Sequence, residues 1–258
     1  MDNTVASPNP VEILGVIPAR LESVRLPRKP LRPILGQPMI SWVYHRARQA
    51  PSLTKLLVAT DSEEIVAYCK QAKIPVALTS AEHRSGTDRL VEIMRRERAD
   101  IYVNIQGDEP MVTDEHVELL LQPFRKDPAT QVSTLKVKMS AAEARDPNSV
   151  KVVTDARGQA LYFSRSPIPH DRDTSGKVQY FKHLGLYAYT AAALEKFSLL
   201  PSSPLEVIEK LEQLRLLENG IPIAVVETST DTIGVDTEAN LHSVEAYFQR
   251  TGAKLPVE

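Results

Sequence analysis

Four short apolar runs, each followed by a stretch of helical periodicity, set the main constraint on how this chain folds. The first is Ile13-Leu14-Gly15-Val16-Ile17; the others are residues 55–60 (KLLVAT), 75–79 and 101–105 (IYVNI). Short unbroken apolar runs suit strands buried on both faces, and such strands belong to parallel sheets. The stretches between them read as helices. One starts at Pro38, with Met39, Ile40, Val43 and Ala47 inward; one covers 62–72, with Ser62 as N-cap. A third covers 87–98, with Leu90, Val91 and Met94 inward, and a fourth begins near Asp114. This alternation predicts an α/β fold: a mainly parallel central sheet flanked by helices, with right-handed crossovers.

From Gln131 the pattern becomes richer in strands. Residues 132–137, 151–154, 160–163 and 179–189 are strand candidates, with turns at Arg157-Gly158 and across 171–176. Residues 204–219 read as one amphipathic helix, with Leu205, Ile208, Leu211 and Leu214 on one face and Gly220 as its stop. A strand at 223–226 and a last helix from about Glu238 complete the pattern. With no repeat and no linker, the expected organisation is a disordered polar tail at residues 1–10 and a single α/β domain over 11–253.

Composition narrows the function. The 258 residues hold 31 basic and 33 acidic side chains, a net charge of −2, which argues against a nucleic-acid partner and against an acidic disordered chain. The single cysteine, Cys69, excludes an intrachain disulfide and argues against structural zinc. No apolar run approaches membrane-spanning length, and the opening MDNTVASPNP has neither the basic start nor the apolar stretch of a signal peptide. The expectation is a cytoplasmic protein without a membrane partner.

In open α/β sheets ligands bind at the carboxyl ends of the strands, so the loops there carry the chemistry. The loop over residues 18–32 holds five basic residues and one acid, a place for polyphosphate or simply a solvated basic loop. Neither GxxxxGK[ST] nor GxGxxG occurs. After the fourth run, Gly107-Asp108 offers a carboxylate where phosphates and Mg²⁺ would lie, although Asp also suits a turn. Gly234-Val235-Asp236-Thr237 repeats that arrangement, with helix capping as the other use of Asp236. His83 to Arg89 opens a helix whose free N–H groups bind a ligand or merely cap it. Arg165 suits a carboxylate or an internal ion pair, and His183 with Tyr187 shares a strand face that is core or site. Glu212 and Gln213, on the long helix, are expected to be solvated.

Eight segments occur in a fixed order. They are Ile17-Pro-Ala-Arg20-x-x-Ser23-x-Arg25-Leu-Pro-x-Lys29-Pro-Leu31, Val58-Ala-Thr-Asp61, Ser85-Gly-Thr-Asp88-Arg89 and Val103-Asn-Ile-Gln-Gly-Asp-Glu-Pro110. Then come Leu161-Tyr-Phe-Ser-Arg-Ser166, His183-Leu-Gly-Leu-Tyr187, Leu211-Glu-Gln-Leu-Arg215 and Gly234-Val-Asp-Thr237. Together they resemble the 3-deoxy-manno-octulosonate (Kdo) cytidylyltransferase family, from about Ile13 to Phe248. The resemblance implies a Rossmann-like nucleotidyltransferase fold with a smaller β-rich portion for dimerisation and sugar binding. It implies a cytoplasmic homodimer that couples CTP and Kdo to give CMP-Kdo and pyrophosphate for lipopolysaccharide biosynthesis. Arg20 and Lys29 would bind the triphosphate, with Ser23 and Arg25 supporting the loop, and Ser85, Gly86, Thr87 and Arg89 would hold the nucleotide. Asp108 and Asp236 would ligate Mg²⁺, so that Arg20, Lys29 and Asp108 carry catalysis. Gln106, Arg165, His183, Tyr187, Glu212 and Gln213 would line the Kdo pocket.

Such a transfer needs positioning and charge neutralisation more than a protein nucleophile. An acceptor other than Kdo, such as its 8-amino analogue or sialic acid, would keep the same residues. One departure stands out: position 28, often Gly in the family, is Arg28 here, a strained choice if the loop needs φ > 0.

Overall fold

The computed structural model describes residues 11–173 and 175–255; the tail expected at 1–10 lies outside the described residues. In chain order the elements are β1 (Ile13–Ala19), β2 (Pro33–Ile34), β3 (Gln37–Pro38), α1 (Met39–Ala47), β4 (Lys55–Thr60), α2 (Glu63–Gln71), β5 (Val76–Leu78), α3 (Gly86–Arg96) and β6 (Ile101–Asn104). They continue with α4 (Asp114–Lys126), β7 (Val132–Met139), β8 (Lys151–Thr154), β9 (Ala160–Ser164), β10 (Tyr180–Thr190), α5 (Ala191–Leu199), α6 (Pro204–Glu209), α7 (Gln213–Glu218), β11 (Ile223–Thr228) and α8 (Glu238–Thr251).

The central sheet runs β11-β7-β10-β6-β1-β4-β5. Along that path β10 alone is antiparallel to its neighbours; β1 pairs in parallel with β4 and β6, and β7 with β11. The hairpin of β8 and β9 leaves this path by pairing with β10, which supplies the smaller antiparallel portion. The two-residue alternation of strands sorts the core into two layers. Ile13 and Ile17 of β1, with Leu56 and Val58 of β4, pack on one face against α1, α2 and α4. Leu14 and Val16, with Leu57 and Ala59, pack on the other against α3, α5 and α7.

A third cluster joins Leu26 and Trp42 to Val235, Leu241 and Phe248. Trp42 donates its indole N–H to the Ile34 carbonyl at 2.8 Å and lies with its ring 4.5 Å from that of Phe248. This packing fixes the first loop and α8 to the same body, so the residues that precede α8 reach the carboxyl end of β1.

One expected element does not form as read from the sequence. Residues 204–219 do not form a single helix: α6 ends at Lys210, which is left-handed (φ 56°, ψ 47°), and α7 starts three residues later at Gln213. Ile208, expected inward, is 76% exposed. The cause lies in tertiary contacts. Arg165 donates its Nε to the Glu209 carbonyl at 2.7 Å and its Nη2 to the Lys210 carbonyl at 3.4 Å. Those carbonyls would otherwise serve the next helical turn; Leu214 N–H instead turns to the Leu211 carbonyl at 3.1 Å.

Candidate active site

The strands β1 and β6 end side by side, and their following loops meet the segment before α8. Lys29 begins a short 3-10 turn over Lys29–Leu31, entered through Arg28 in the left-handed region (φ 59°, ψ 31°). The family position where Gly is common is therefore a position that favours Gly, and Arg28 occupies it with its guanidinium paired to Glu64. From that turn the Lys29 ammonium reaches Asp108 Oδ2 at 2.5 Å and Asp236 Oδ1 at 2.9 Å. Arg25 closes the far side of Asp236 at 2.9 Å. These carboxylates hold the ammonium in its charged form, so the Lys29 pKa lies above its ordinary value despite the opposing cost of burial, the largest single effect. For Asp236 the same contacts outweigh burial and lower the pKa. Asp236 does not cap α8; Thr237 does, accepting from Asn240 N–H. The Asp236 side chain is thus left for the site.

Among the described residues three cavities touch this cluster, and two of them take in both carboxylates. A smaller one of about 200 Å³ is lined by Arg20, Lys29, Ser85, Gly86, Arg89 and Gln106. A larger one of about 1040 Å³ takes in Thr87, Gln106, Arg165, His183, Tyr187, Glu212 and Gln213. Gln106, Asp108 and Asp236 line both, so the carboxylate pair stands where the two chambers meet. Gly107 makes this junction tight, since a Cβ there would lie 2.6 Å from the Pro18 carbonyl oxygen.

Several expected residues carry structural duties too. Ser23 accepts from Leu26 N–H at 3.3 Å and lines neither of these two chambers. Ser85 caps α3 in a reciprocal box with Asp88. Arg89 is 3% exposed, ion-paired with Asp61, and donates to Thr79 Oγ1 at 2.7 Å, so its charge is already matched. Thr87 Oγ1 donates to Glu212 Oε2 at 2.8 Å, joining α3 to the break before α7. Gln213, expected to be solvated, is buried. His183 Nε2 lies 2.9 Å from Tyr187 Oη and 3.1 Å from Thr134 Oγ1. Burial, with a smaller contribution from Lys182, lowers the His183 pKa to about 3 and keeps the ring neutral.

Among the described residues, five buried side-chain polar atoms lack a hydrogen-bond partner, and three of them belong to residues lining the larger cavity: Asn104 Oδ1, Glu109 Oε2 and Gln213 Nε2. Unpaired buried polar atoms are costly unless a ligand or water completes them. Sequence reasoning did not single out Asn104 or Glu109 as site residues, although both stand in the Val103–Pro110 segment. Their signal was position alone, the end of a buried strand. Burial, then the Asp108 charge, raises the Glu109 pKa to about 7.

The donor set here suits a hard cation. Asp108 and Asp236 offer oxygens only, and among the described residues no group of three or more His, Cys, Asp or Glu side chains is arranged to hold a metal. Two carboxylates that leave the remaining positions to substrate phosphates and water match the habit of Mg²⁺.

Fold and site together define a nucleotidyltransferase, with cations and paired carboxylates at the strand ends and a polar chamber beside them. The cytidylyltransferase family model matches residues 14–228. The chain is 56% identical over 235 residues to the 3-deoxy-manno-octulosonate cytidylyltransferase of Acidobacterium capsulatum, covering 91% of this chain and 96% of that one. It is 53% identical to the enzyme of the same name from Koribacter versatilis, covering 91% and 89%. A solved structure of CMP:2-keto-3-deoxy-manno-octonic acid synthetase complexed with CTP superposes with a TM-score of 0.90 at 48% identity, covering 93% of this chain and 99% of that one. The chain belongs to the 3-deoxy-manno-octulosonate cytidylyltransferase family.

Proposed function

We infer that this chain transfers CMP from CTP to Kdo, releasing pyrophosphate and CMP-Kdo. The observation that carries the reading is the Asp108–Lys29–Asp236 cluster, set between a small chamber rimmed by Arg20 and a large one rich in unpaired polar atoms. CTP takes the smaller chamber with its triphosphate toward Arg20 and Lys29. The acidic sugar takes the larger one, with its carboxylate toward the positive edge at Arg165. The sugar hydroxyl then meets the α-phosphorus at the shared wall, and pyrophosphate leaves in line.

In this reading Lys29 and Arg20 stabilise charge building on the leaving pyrophosphate. Gln106, which lines both chambers, orients the two substrates relative to each other. Neutral His183 and Tyr187 act as hydrogen-bonding partners rather than as acids. Asp108 and Asp236 would hold Mg²⁺, which when bound supplies Lewis-acid stabilisation of phosphate charge. No protein nucleophile is required, and Cys69 lies on the buried face of α2, in the core. The reading includes a cytoplasmic homodimer; among the described residues no helix is long and apolar enough to cross a membrane.

The test is pyrophosphate release with Mg²⁺ and each of CTP, UTP, GTP and ATP against Kdo, its 8-amino analogue and sialic acid. The reading predicts release with CTP and Kdo well above every other pair. Release that favours another nucleotide or another acid would replace the substrate assignment.

A further inference from the structure

Lys151, at the start of β8, is fully buried, with 0% of its surface exposed, and among the described residues it forms no ion pair. Its ammonium donates instead to three main-chain carbonyls: Asp146 at 3.0 Å, Ser149 at 2.6 Å and Arg165 at 2.5 Å. Burying an ammonium costs several kcal/mol, and hydrogen bonds to neutral carbonyls offset that cost only when every proton is placed. A chain that sought stability alone would do as well with an apolar side chain here. What the ammonium gives is geometry.

The three carbonyls belong to two walls of the larger cavity. Residues 146–148 are exposed, so apolar burial does not hold that wall in place. It is fixed through its carbonyls: to Lys151, to Arg165 Nη1 from Pro147 at 3.0 Å, and to His183 N–H from Val150 at 2.8 Å. Arg165, whose own carbonyl Lys151 holds, in turn secures the break after α6 through Glu209 and Lys210, from which Glu212 and Gln213 enter the cavity. The two cations therefore act as one stitch between the 146–150 wall and the 209–213 wall. Neither Lys151 nor the 146–150 segment lines the smaller chamber.

We propose that Lys151 is a positioning residue for the acceptor: with Arg165 it sets the width of the larger cavity without touching substrate. The proposal rests on the reading that the acceptor sugar occupies that cavity. Its test compares the full-length wild type with Lys151→Met and with Lys151→Gln, which keeps two N–H donors. Thermal melts report folding, and steady-state pyrophosphate release is measured with each substrate varied. Lys151→Met should raise KM for Kdo about tenfold or more, the scale expected when a wall moves by a fraction of an ångström, with KM for CTP unchanged within about twofold. Lys151→Gln should recover part of the loss. Hydrogen exchange should show faster amide exchange across 146–150 and 209–213 in Lys151→Met, and unchanged exchange in β1 and β6.

Equal effects on both KM values, or no effect on either, would overturn the proposal. So would unchanged exchange at the two walls. If Lys151→Met does not fold, Lys151→Gln carries the same comparison. If the wild type itself releases no pyrophosphate with CTP and Kdo, the substrate reading has failed, whereas the exchange measurement still tests the stitch.

Discussion

The ammonium of Lys29 lies 2.5 Å from Asp108 Oδ2, a contact between residues 79 positions apart that draws the first loop onto the end of β6. Its second contact, to Asp236, brings in the segment before α8. One cation thus holds together three loops that would otherwise meet as two facing carboxylates.

Lys29→Met removes that cation from a site that is only partly exposed. A charge-assisted hydrogen bond of this kind contributes about 1.5–3 kcal/mol, so Kd for CTP should rise roughly ten- to a hundredfold. KM for Kdo should change far less. Calorimetric titration of CTP into wild type and variant checks this directly.

Gly107→Ala should fold yet lose most of its activity. The added Cβ would meet the Pro18 carbonyl at 2.6 Å, so backbone rather than a flexible side chain must move. Displacing Asp108 or β1 by about 1 Å should lower kcat by roughly a hundredfold. A circular-dichroism melt alongside kcat separates this from unfolding.

Arg28→Gly should leave activity intact and raise stability slightly. A left-handed non-Gly residue costs about 1–2 kcal/mol, and Gly returns about 0.5–1 kcal/mol of that as unfolded-chain entropy. The ion pair to Glu64 is exposed on both sides and adds little. Thermal melting should show Tm raised by roughly 2–4 °C. A lowered Tm would mean that the Glu64 pair matters more than the strain.

Stability should fall on the acid side because of His183. Its folded pKa of about 3 lies below the ordinary value of 6.5, so the unfolded chain binds this proton first. The contribution is complete above pH 6.5 and is lost as pH falls toward 3. Between pH 6.5 and 5 it amounts to about 2 kcal/mol. Urea unfolding at several pH values should show this slope in the wild type and a shallower one in His183→Gln.

The layered fold was legible because each strand of the parallel half carries its own unbroken apolar run, and residues such as Leu14 and Val58 need no distant partner to declare themselves buried. The break at Lys210 was not legible. Leu205, Ile208, Leu211 and Leu214 keep helical spacing, and only the guanidinium of Arg165, 44 residues upstream of Glu209, claims the carbonyls that a continuous helix would use. At the site, Asp108 and Asp236 could be named from their places at strand and segment ends. Their pairing through Lys29 could not, because no local spacing encodes it. Glu109 and Asn104 stood in a quoted segment without any sign that their polar atoms would be buried and unpaired.

We attribute CMP transfer to the carboxylate cluster between the two chambers. Asp108→Asn tests this attribution most directly, with pyrophosphate release from CTP and Kdo in the presence of Mg²⁺ measured beside CTP binding and a thermal melt. The expected result is a folded protein that still binds CTP and whose turnover falls roughly a hundred- to a thousandfold, the loss that follows removal of a main electrostatic group. Turnover within a few-fold of wild type in that folded variant would contradict the attribution.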